Sequence, residues 1–349
     1  MNLEIRQMRP QEARDTRRVA VKAFGLFGKF IPAPKEAMIA LVDGRIVGGF
    51  AYKIKRCGGK KAGLVSWFFM HPDVAGQGIG KQLGDAGVQQ MWDEGCDVIT
   101  TFVRDDNVAS WGAFVKNGFA RGGVPALVKA LGPLGLVQLF PYWFAPLHDF
   151  YIAARGGAVE EKRGGLGQVL LFALVNALLL LLSLWAFGAE ALVVIGGFLF
   201  VLLGGALAGG LGTLFSRERK WRFRMTTGGM GISLLVAVLR GGFFPVFGNL
   251  YPEQYENTPR FKRDMAIVAI CGWLFYMAAV AMTWVEGTIL PPHAMGIAPI
   301  FLALKCLPFD GLGSLGGERV WRWNRPLFAI MTVASAALIW QSDALWFLR

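Results

Sequence analysis

The sequence predicts an α/β domain followed by an α-helical, polytopic membrane domain, and three observations predict it. Residues 1–160 mix short alternating stretches with helical ones, the pattern of a soluble α/β sequence. From Leu166 onward long apolar runs take over, beginning with "LGQVLLFALVNALLLLLSLWAF" and "EALVVIGGFLFVLLGGALAGGLGTLF"; each reaches the roughly 20 residues that a bilayer core requires. Finally, 349 residues exceed one ordinary domain, and 54% hydrophobic against 17% charged residues leans toward membrane.

The N-terminal elements follow in order. "LEIRQM" (Leu3–Met8) alternates as a strand, and "PQEARDTRRVAVKAFG" has helical composition with a glycine stop. "AMIALVDGRIVGGFAYKIK" is two strands around Asp43–Gly44, a strong hairpin signal. "AGLVSWFFM" is another strand. Ile79, Leu83 and Ala86 then recur at helical spacing until Asp93–Gly95. "DVITTFV" (Asp97–Val103) is a strand, and Asn107–Phe119 is a helix with Asn107 as N-cap and Gly118 at its end. "HDFYIAAR" (His148–Arg155) is a closing strand. The domains are accordingly 1–155, with an apolar and aromatic insertion at 124–147, a linker at 156–165 and a membrane domain at 166–349.

The stretch "HPDVAGQGIGKQL" (His71–Leu83) carries the chemistry. Its glycines connect a strand to a helix N-terminus, where unpaired N–H groups and the helix dipole favour an anion. Gly76, Gly78 and Gly80 lack Cβ atoms, so a phosphate can approach the backbone closely. No Gly-Lys-Ser/Thr follows, so the nucleotide P-loop pattern fails. Leu83 stands where a dinucleotide fingerprint needs its third glycine. On the residues alone, a phosphate site and a tight structural turn both stand.

Ala75-Gly76-Gln77-Gly78-Ile79-Gly80, and Asn107 through Phe114, Gly118 and Phe119, fall in the order and spacing of two family signatures. Residues 2–120 thereby resemble the GNAT family of acyl-CoA N-acyltransferases. The resemblance implies an α/β GNAT fold and direct attack of an amine on a thioester. The substrate is acyl-CoA (acetyl-CoA or a longer chain), with acyl carrier protein as another possible donor and no metal. It implies that Gly76, Gln77, Gly78, Ile79, Gly80 and Lys81 hold the pyrophosphate. Pantetheine would enter between Val65–Met70 and Asp97–Val103, and a backbone N–H near Phe69 or Met70 would polarise the carbonyl. Asn107 and Phe114 are the signature positions on the following helix. Ala75 replaces the usual Arg or Gln, and Phe114 replaces a tyrosine that protonates the departing thiolate in many members. A base is still needed for the acceptor ammonium. His71, Asp73, Asp105 and Asp106 are the candidates by proximity to strand ends. His71-Pro72 also reads as a simple turn, and Asp105 or Asp106 as a helix cap.

In the second half, apolar runs at about 166–187, 190–214, 265–285, 294–308 and 326–347 suggest about five spanning helices, and 228–247, with Arg240 and Pro245, suggests one re-entrant segment. Lys and Arg concentrate in 217–224, 260–263 and 319–325, while Glu286–His293 has neither. The positive-inside rule then places the N-terminal domain in the cytoplasm of a cell bounded by this inner or plasma membrane. The N-terminus carries no apolar signal-peptide core. The net charge of +12 lies largely in such loops, facing lipid headgroups rather than nucleic acid. Four cysteines without a CxxC pair read as buried thiols. The insertion at 124–147, with Phe140, Tyr142, Trp143 and Phe144, reads either as a bilayer-facing lip or as packing against the membrane domain.

"RKWRFRMTTGGMGISLLVAVLRGGFFPVFG" and "ALKCLPFDGLGSLGGERVWRWNRPLFAI" are similar to segments of site-2-protease-like intramembrane metalloproteases. The resemblance puts the zinc-binding HExxH at Ala206–Gly210 and its Leu-Asp-Gly at Leu315-Gly316-Gly317. The zinc ligands are therefore replaced, and Asp310 is nearby but alone; a pseudoprotease scaffold is implied. Lys305 sits in an apolar run. It reads as snorkelling to the cytoplasmic face, or else as facing a cavity and binding an acidic headgroup. The expected partners are the bilayer and a lipophilic amine acceptor, with a membrane protein as a further candidate. The expected function is acyl transfer to a membrane-resident amine. A non-catalytic acyl-CoA sensor and a tethered acetyltransferase for a soluble amine are the alternatives.

Overall fold

Asp43 and Gly44 turn β2 (Glu36–Val42) back onto β3 (Arg45–Cys57) with positive φ at both residues, 48° and 77°. That is the geometry a two-residue hairpin requires. The computed structural model describes residues 2–74, 76–104, 108–122, 124–139, 148–155, 159, 164–184, 190–216, 219–226, 230–239, 243–253, 258–284, 296–308 and 315–342. These fall into two compact units, one within 1–142 and 148–162, the other within 163–349.

In the first unit the remaining strands are β1 (Leu3–Gln7), β4 (Lys60–Met70), β5 (Val98–Arg104), β6 (Ala120–Gly122) and β7 (His148–Ala154). The sheet runs β1-β2-β3-β4-β5-β7-β6. Its pairs are antiparallel except β4 with β5, which are joined by the crossover helix α2 (Ile79–Asp93). Helix α1 (Ala13–Phe24) covers one face and α2 the other. Strand alternation divides the side chains of β4 between them: Phe69 packs with Val19, Ala20 and Ile31, while Phe68 and Met70 pack on the side of Ile79 and Leu83. Helix α2 lies very close to the sheet. A Cβ added at Gly87 would stand 2.3 Å from the Phe50 ring. Helix α3 (Val108–Lys116) follows β5, and the Asn117 amide at its end donates to Asp85 of α2 at 2.8 Å.

Val124–Gln138 is a helix, α4, kinked where Gly132 (φ 73°) precedes Pro133. It is fastened to the hairpin between β3 and β4. The Lys60 ammonium donates to the Ala130 carbonyl at 2.7 Å, and the Gly58 N–H donates to the Gln138 amide oxygen at 2.8 Å. Leu127 and Leu131 are buried, whereas Leu134 and Val137 are exposed. Phe140, Tyr142, Trp143 and Phe144 lie outside the described residues.

The second unit is helical: α5 (Leu166–Leu184), α6 (Glu190–Gly212), α7 (Met230–Val238), α8 (Pro259–Met282), α9 (Ile297–Lys305), α10 (Gly317–Trp323) and α11 (Arg325–Gln341). An antiparallel pair of strands, β8 (Trp221–Met225) and β9 (Gly248–Pro252), not expected from the sequence, joins them. Glycines let α6 and α8 approach closely. A Cβ at Gly205 would meet the Tyr276 hydroxyl at 2.2 Å, and one at Gly212 the Val268 Cα at 2.9 Å. Thr258 caps α8 by accepting from the Phe261 N–H at 3.1 Å.

Among the described residues three helices are long and apolar enough to cross a membrane: Leu166–Ser183, Ala191–Ser216 and Pro259–Met282. Expected spans at 294–308 and 326–347 shorten to α9 and α11, with nine and 17 residues. At 1.5 Å per residue they rise only about 13 and about 25 Å. Apolar composition alone set the predicted spans, and the described residues 306–308 and 342 lie outside the helices. Among its described residues the 228–247 stretch holds the nine-residue α7.

Candidate active site

β4 and β5 pair in parallel from Ala62 opposite Val98 to Val65 opposite Thr101, and no further. Both strands continue, β4 to Met70 and β5 to Arg104, so the sheet opens between them. The β3–β4 register passes from Val65 opposite Tyr52 to Trp67 opposite Ala51. Ser66 is therefore the extra residue of a β-bulge, and a bulge bends the strand that carries it. The Ser66 hydroxyl is buried and has no hydrogen-bond partner among the described residues.

Backbone phase decides which amide faces the opening. The His71 N–H donates to the Val47 carbonyl at 2.7 Å, and Phe69 stands opposite Gly49 two residues earlier. In an antiparallel pair the bonded positions alternate, so the Phe69 N–H also points to β3 and the Met70 N–H points away from it, toward the opening. Of the two amides expected to polarise a carbonyl, only that of Met70 is available. The Phe69 side chain is buried on the α1 face.

The α2 N-terminus follows. Pro72–Val74 forms one 3-10 turn; Gly76 and Gly78 take φ of 81° and 77°. Gly78 is the N-cap residue, and no side chain caps the helix. Lys81 N–H bonds the Gly78 carbonyl at 3.1 Å, while Ile79 and Gly80 precede the first possible intrahelical donor. The first turn holds no acid, and Lys81 is exposed. Cβ atoms at Gly76 and Gly78 would meet nothing within 4 Å, so the space before these amides is open. Gln77 is exposed beside them, and the Ile79 side chain is core. Gly80 serves packing: its Cβ would touch Met70 Cγ at 3.3 Å. Together these features make an uncapped, cation-flanked anion cradle beside a split sheet.

His71 leaves β4 at the same point. Its Nδ1 lies 3.4 Å from an Asp73 carboxylate oxygen and 3.3 Å from the Asp73 N–H. The Asp73 N–H donates to Nδ1 here; in the other tautomer Nδ1–H faces the Asp73 carboxylate and Nε2 is the proton acceptor. Phe114 lies in the core, 3% exposed, with ring centroids 6.1 Å from Phe68 and 5.1 Å from Phe119. Asp105, Asp106 and Asn107 lie outside the described residues. Sequence reasoning missed two features. Ser66 was signalled as the one polar residue of "LVSWFFM". Phe24 and Trp67 form an edge-to-face pair at 5.9 Å, 37% and 39% exposed, on the α1 face. Only strand phase and the helix end bring them together.

A model of the acetyltransferase (GNAT) family matches residues 2–119. No curated protein matches the chain. Among solved structures, a GNAT family acetyltransferase from Brucella melitensis in complex with acetyl-CoA is 19% identical, covering 46% of this chain and 94% of that one, at a TM-score of 0.32. The PaiA N-acetyltransferase from Thermoplasma acidophilum, in complex with coenzyme A, is 14% identical, covering 44% and 99% at 0.32. The family match spans the split strands, the glycine turn and α2, and residues 2–119 form a GNAT-type acetyltransferase domain.

Proposed function

We propose that the protein is a membrane-bound N-acyltransferase. It moves an acyl group from acyl-CoA to the amine of a lipophilic, membrane-resident acceptor. The observation that carries this reading is the opening between β4 and β5 beside the uncapped start of α2. The diphosphate lies against the amides of Gly76–Lys81, and the pantetheine arm extends between the strands. Ligand amides there complete the hydrogen bonding that β4 and β5 leave unmade beyond Val65 and Thr101.

His71 takes a proton from the acceptor ammonium through Nε2, with Asp73 holding the ring. The free amine attacks the thioester carbonyl, and the Met70 N–H stabilises the oxyanion. The C–S bond breaks and the amide forms. The thiolate, with a conjugate thiol pKa near roughly 8.5 by analogy to cysteine, takes a proton from water. Phe114 has no hydroxyl to supply one. A lipophilic acceptor fits the exposed pair Phe24 and Trp67 in the first unit, and the three apolar helices of the second supply the bilayer anchor. Membrane insertion puts the first unit on the cytoplasmic side under the positive-inside rule. The second unit is read as a protease-like scaffold without zinc ligands. In support, Ala206 and Leu315, at the two expected ligand segments, line one cavity.

The test is purified full-length protein with radiolabelled acyl-CoAs and membrane lipid extract. Label should pass to an amine-bearing lipid. Coenzyme A binding without transfer to any lipid-phase or soluble amine would select the sensor reading, which the absence of a tyrosine at position 114 favours.

A further inference from the structure

Lys305 does not snorkel. It is only 8% exposed, and its side chain lines a cavity inside the second unit. The cavity volume is about 30 Å³, room for about two water-sized groups. Its polar lining comes from Lys305, Tyr276 and Asn249; Phe172, Phe247 and Phe301 contribute hydrocarbon walls. Gly205 and Gly316 keep the space. A Cβ at Gly205 would fall 2.2 Å from the Tyr276 hydroxyl, and one at Gly316 would fall 3.0 Å from Lys305 Nζ.

Among the described residues no acid pairs with the ammonium. Its described polar contact is the face of Tyr276, 5.4 Å from Nζ to the ring centroid. A second cation, Arg319, itself 5% exposed, also acts on it. Arg319 donates from Nη1 to the Leu250 carbonyl at 3.0 Å, while Nε and Nη2 find no acceptor among the described residues. The buried carboxylates are committed elsewhere, Glu318 to Arg322 and Asp264 to Arg219 and Arg263. A ring face does not replace the hydration of an ammonium, and an unpaired buried charge is costly. A polar chamber holding a cation without a counter-ion calls for an anionic ligand.

We propose that this cavity binds the carboxylate of a long-chain fatty acid, with Lys305 Nζ and the Tyr276 hydroxyl as donors. Two water-sized places match two carboxylate oxygens and are too few for a phosphate. Those oxygens fill the two places, so the first methylenes bind only where Phe172, Phe247 and Phe301 give way. The helices around the cavity expose leucines such as Leu170, Leu174 and Leu207 to receive the rest. The site does not depend on the acyl-transfer reading, since no residue of the first unit takes part in it.

The test uses full-length protein in detergent, with palmitate, hexadecanol and hexadecyl phosphate as probes. Binding is followed by native mass spectrometry and thermal unfolding. One palmitate should bind per chain and raise the melting temperature, and hexadecanol should not. Lys305→Met should melt above the wild type without ligand, because it removes an unpaired buried charge, and should bind palmitate at least about tenfold more weakly. Tyr276→Phe should weaken palmitate binding while leaving coenzyme A binding intact. Equal palmitate binding by wild type and Lys305→Met would overturn the proposal, as would no saturable binding or a preference for hexadecyl phosphate. Strong coupling between Asp310→Asn and Lys305→Met in a double-mutant cycle would also overturn it, by assigning the counter-ion to the chain itself.

Discussion

Val65 and Thr101 are the last opposed residues of β4 and β5, and the bulge at Ser66 begins at the next position of β4. Backbone geometry opens the sheet there, and the serine side chain contributes a buried hydroxyl without a partner. Removing that hydroxyl relieves a desolvation cost of about 1–3 kcal/mol, less what local relaxation already recovers. Ser66→Ala should therefore match or exceed the wild type in thermal stability and bind coenzyme A within about twofold of it. A large loss of coenzyme A affinity in calorimetry would show that the hydroxyl, not the bulge, makes the site.

The glycine turn separates conformation from charge. Gly78 holds φ at 77° with open space around its Cβ position, so Gly78→Ala meets no clash. It still forces an L-residue into the left-handed region, at about 1–2 kcal/mol. Lys81 is exposed, so Lys81→Ala should cost only about two- to fivefold in coenzyme A affinity. The Lys81→Ala loss should shrink as salt rises, while the Gly78→Ala loss should not. Calorimetry at two ionic strengths distinguishes them.

Much of the first unit was legible because local chemistry there agrees with the fold. Asp43–Gly44 announces a hairpin, and Ile79 and Leu83 announce a buried helix face; both hold. The glycine turn and the helix start after it were legible too, because Gly76 and Gly78 take the positive φ that glycine favours. The opening between β4 and β5 was expected only through the family resemblance, since a bulge is one residue of register and leaves no periodic trace. Helix α4 was hidden by Gly132-Pro133, a pair that argues for a break and instead makes a kink. In the second unit, "WRFRM" alternates over too few residues to separate β8 from a basic loop. Lys305 illustrates the converse: hydropathy places it near a membrane edge, and only packing shows it turned inward.

His71 and Asp73 divide a role between them. If Nε2 of His71 takes the acceptor's proton, His71→Gln removes general-base catalysis worth about 10²–10⁴ in rate. Asp73 acts through the ring, so Asp73→Asn should lower kcat by roughly tenfold. Neither change should alter coenzyme A affinity, because both residues precede the cradle. Single-turnover rates with saturating acyl-CoA measure this directly. A His71→Gln protein with wild-type kcat would pass the role to Asp105 or Asp106.

Acid stability should report on the opposite edge of the sheet. Arg6 of β1 forks onto Glu12 at the start of α1, with Nη1 and Nη2 at 2.8 and 2.7 Å from its two carboxylate oxygens. The Arg9 N–H adds a third bond to the same group at 2.8 Å. The Arg6 hydrogen bonds chiefly, opposed by burial and aided by the Arg9 N–H, hold the Glu12 carboxyl down at about 2. An unfolded glutamate titrates near 4.5. The folded state therefore keeps its carboxylate where the unfolded state has gained a proton. The stabilisation is complete above about 4.5 and is lost as pH falls toward about 2. Glu12→Gln should melt below the wild type at pH 7, and the gap should close between those two values. A gap that stays constant across that range would mean that Glu12 stabilises by packing rather than by charge.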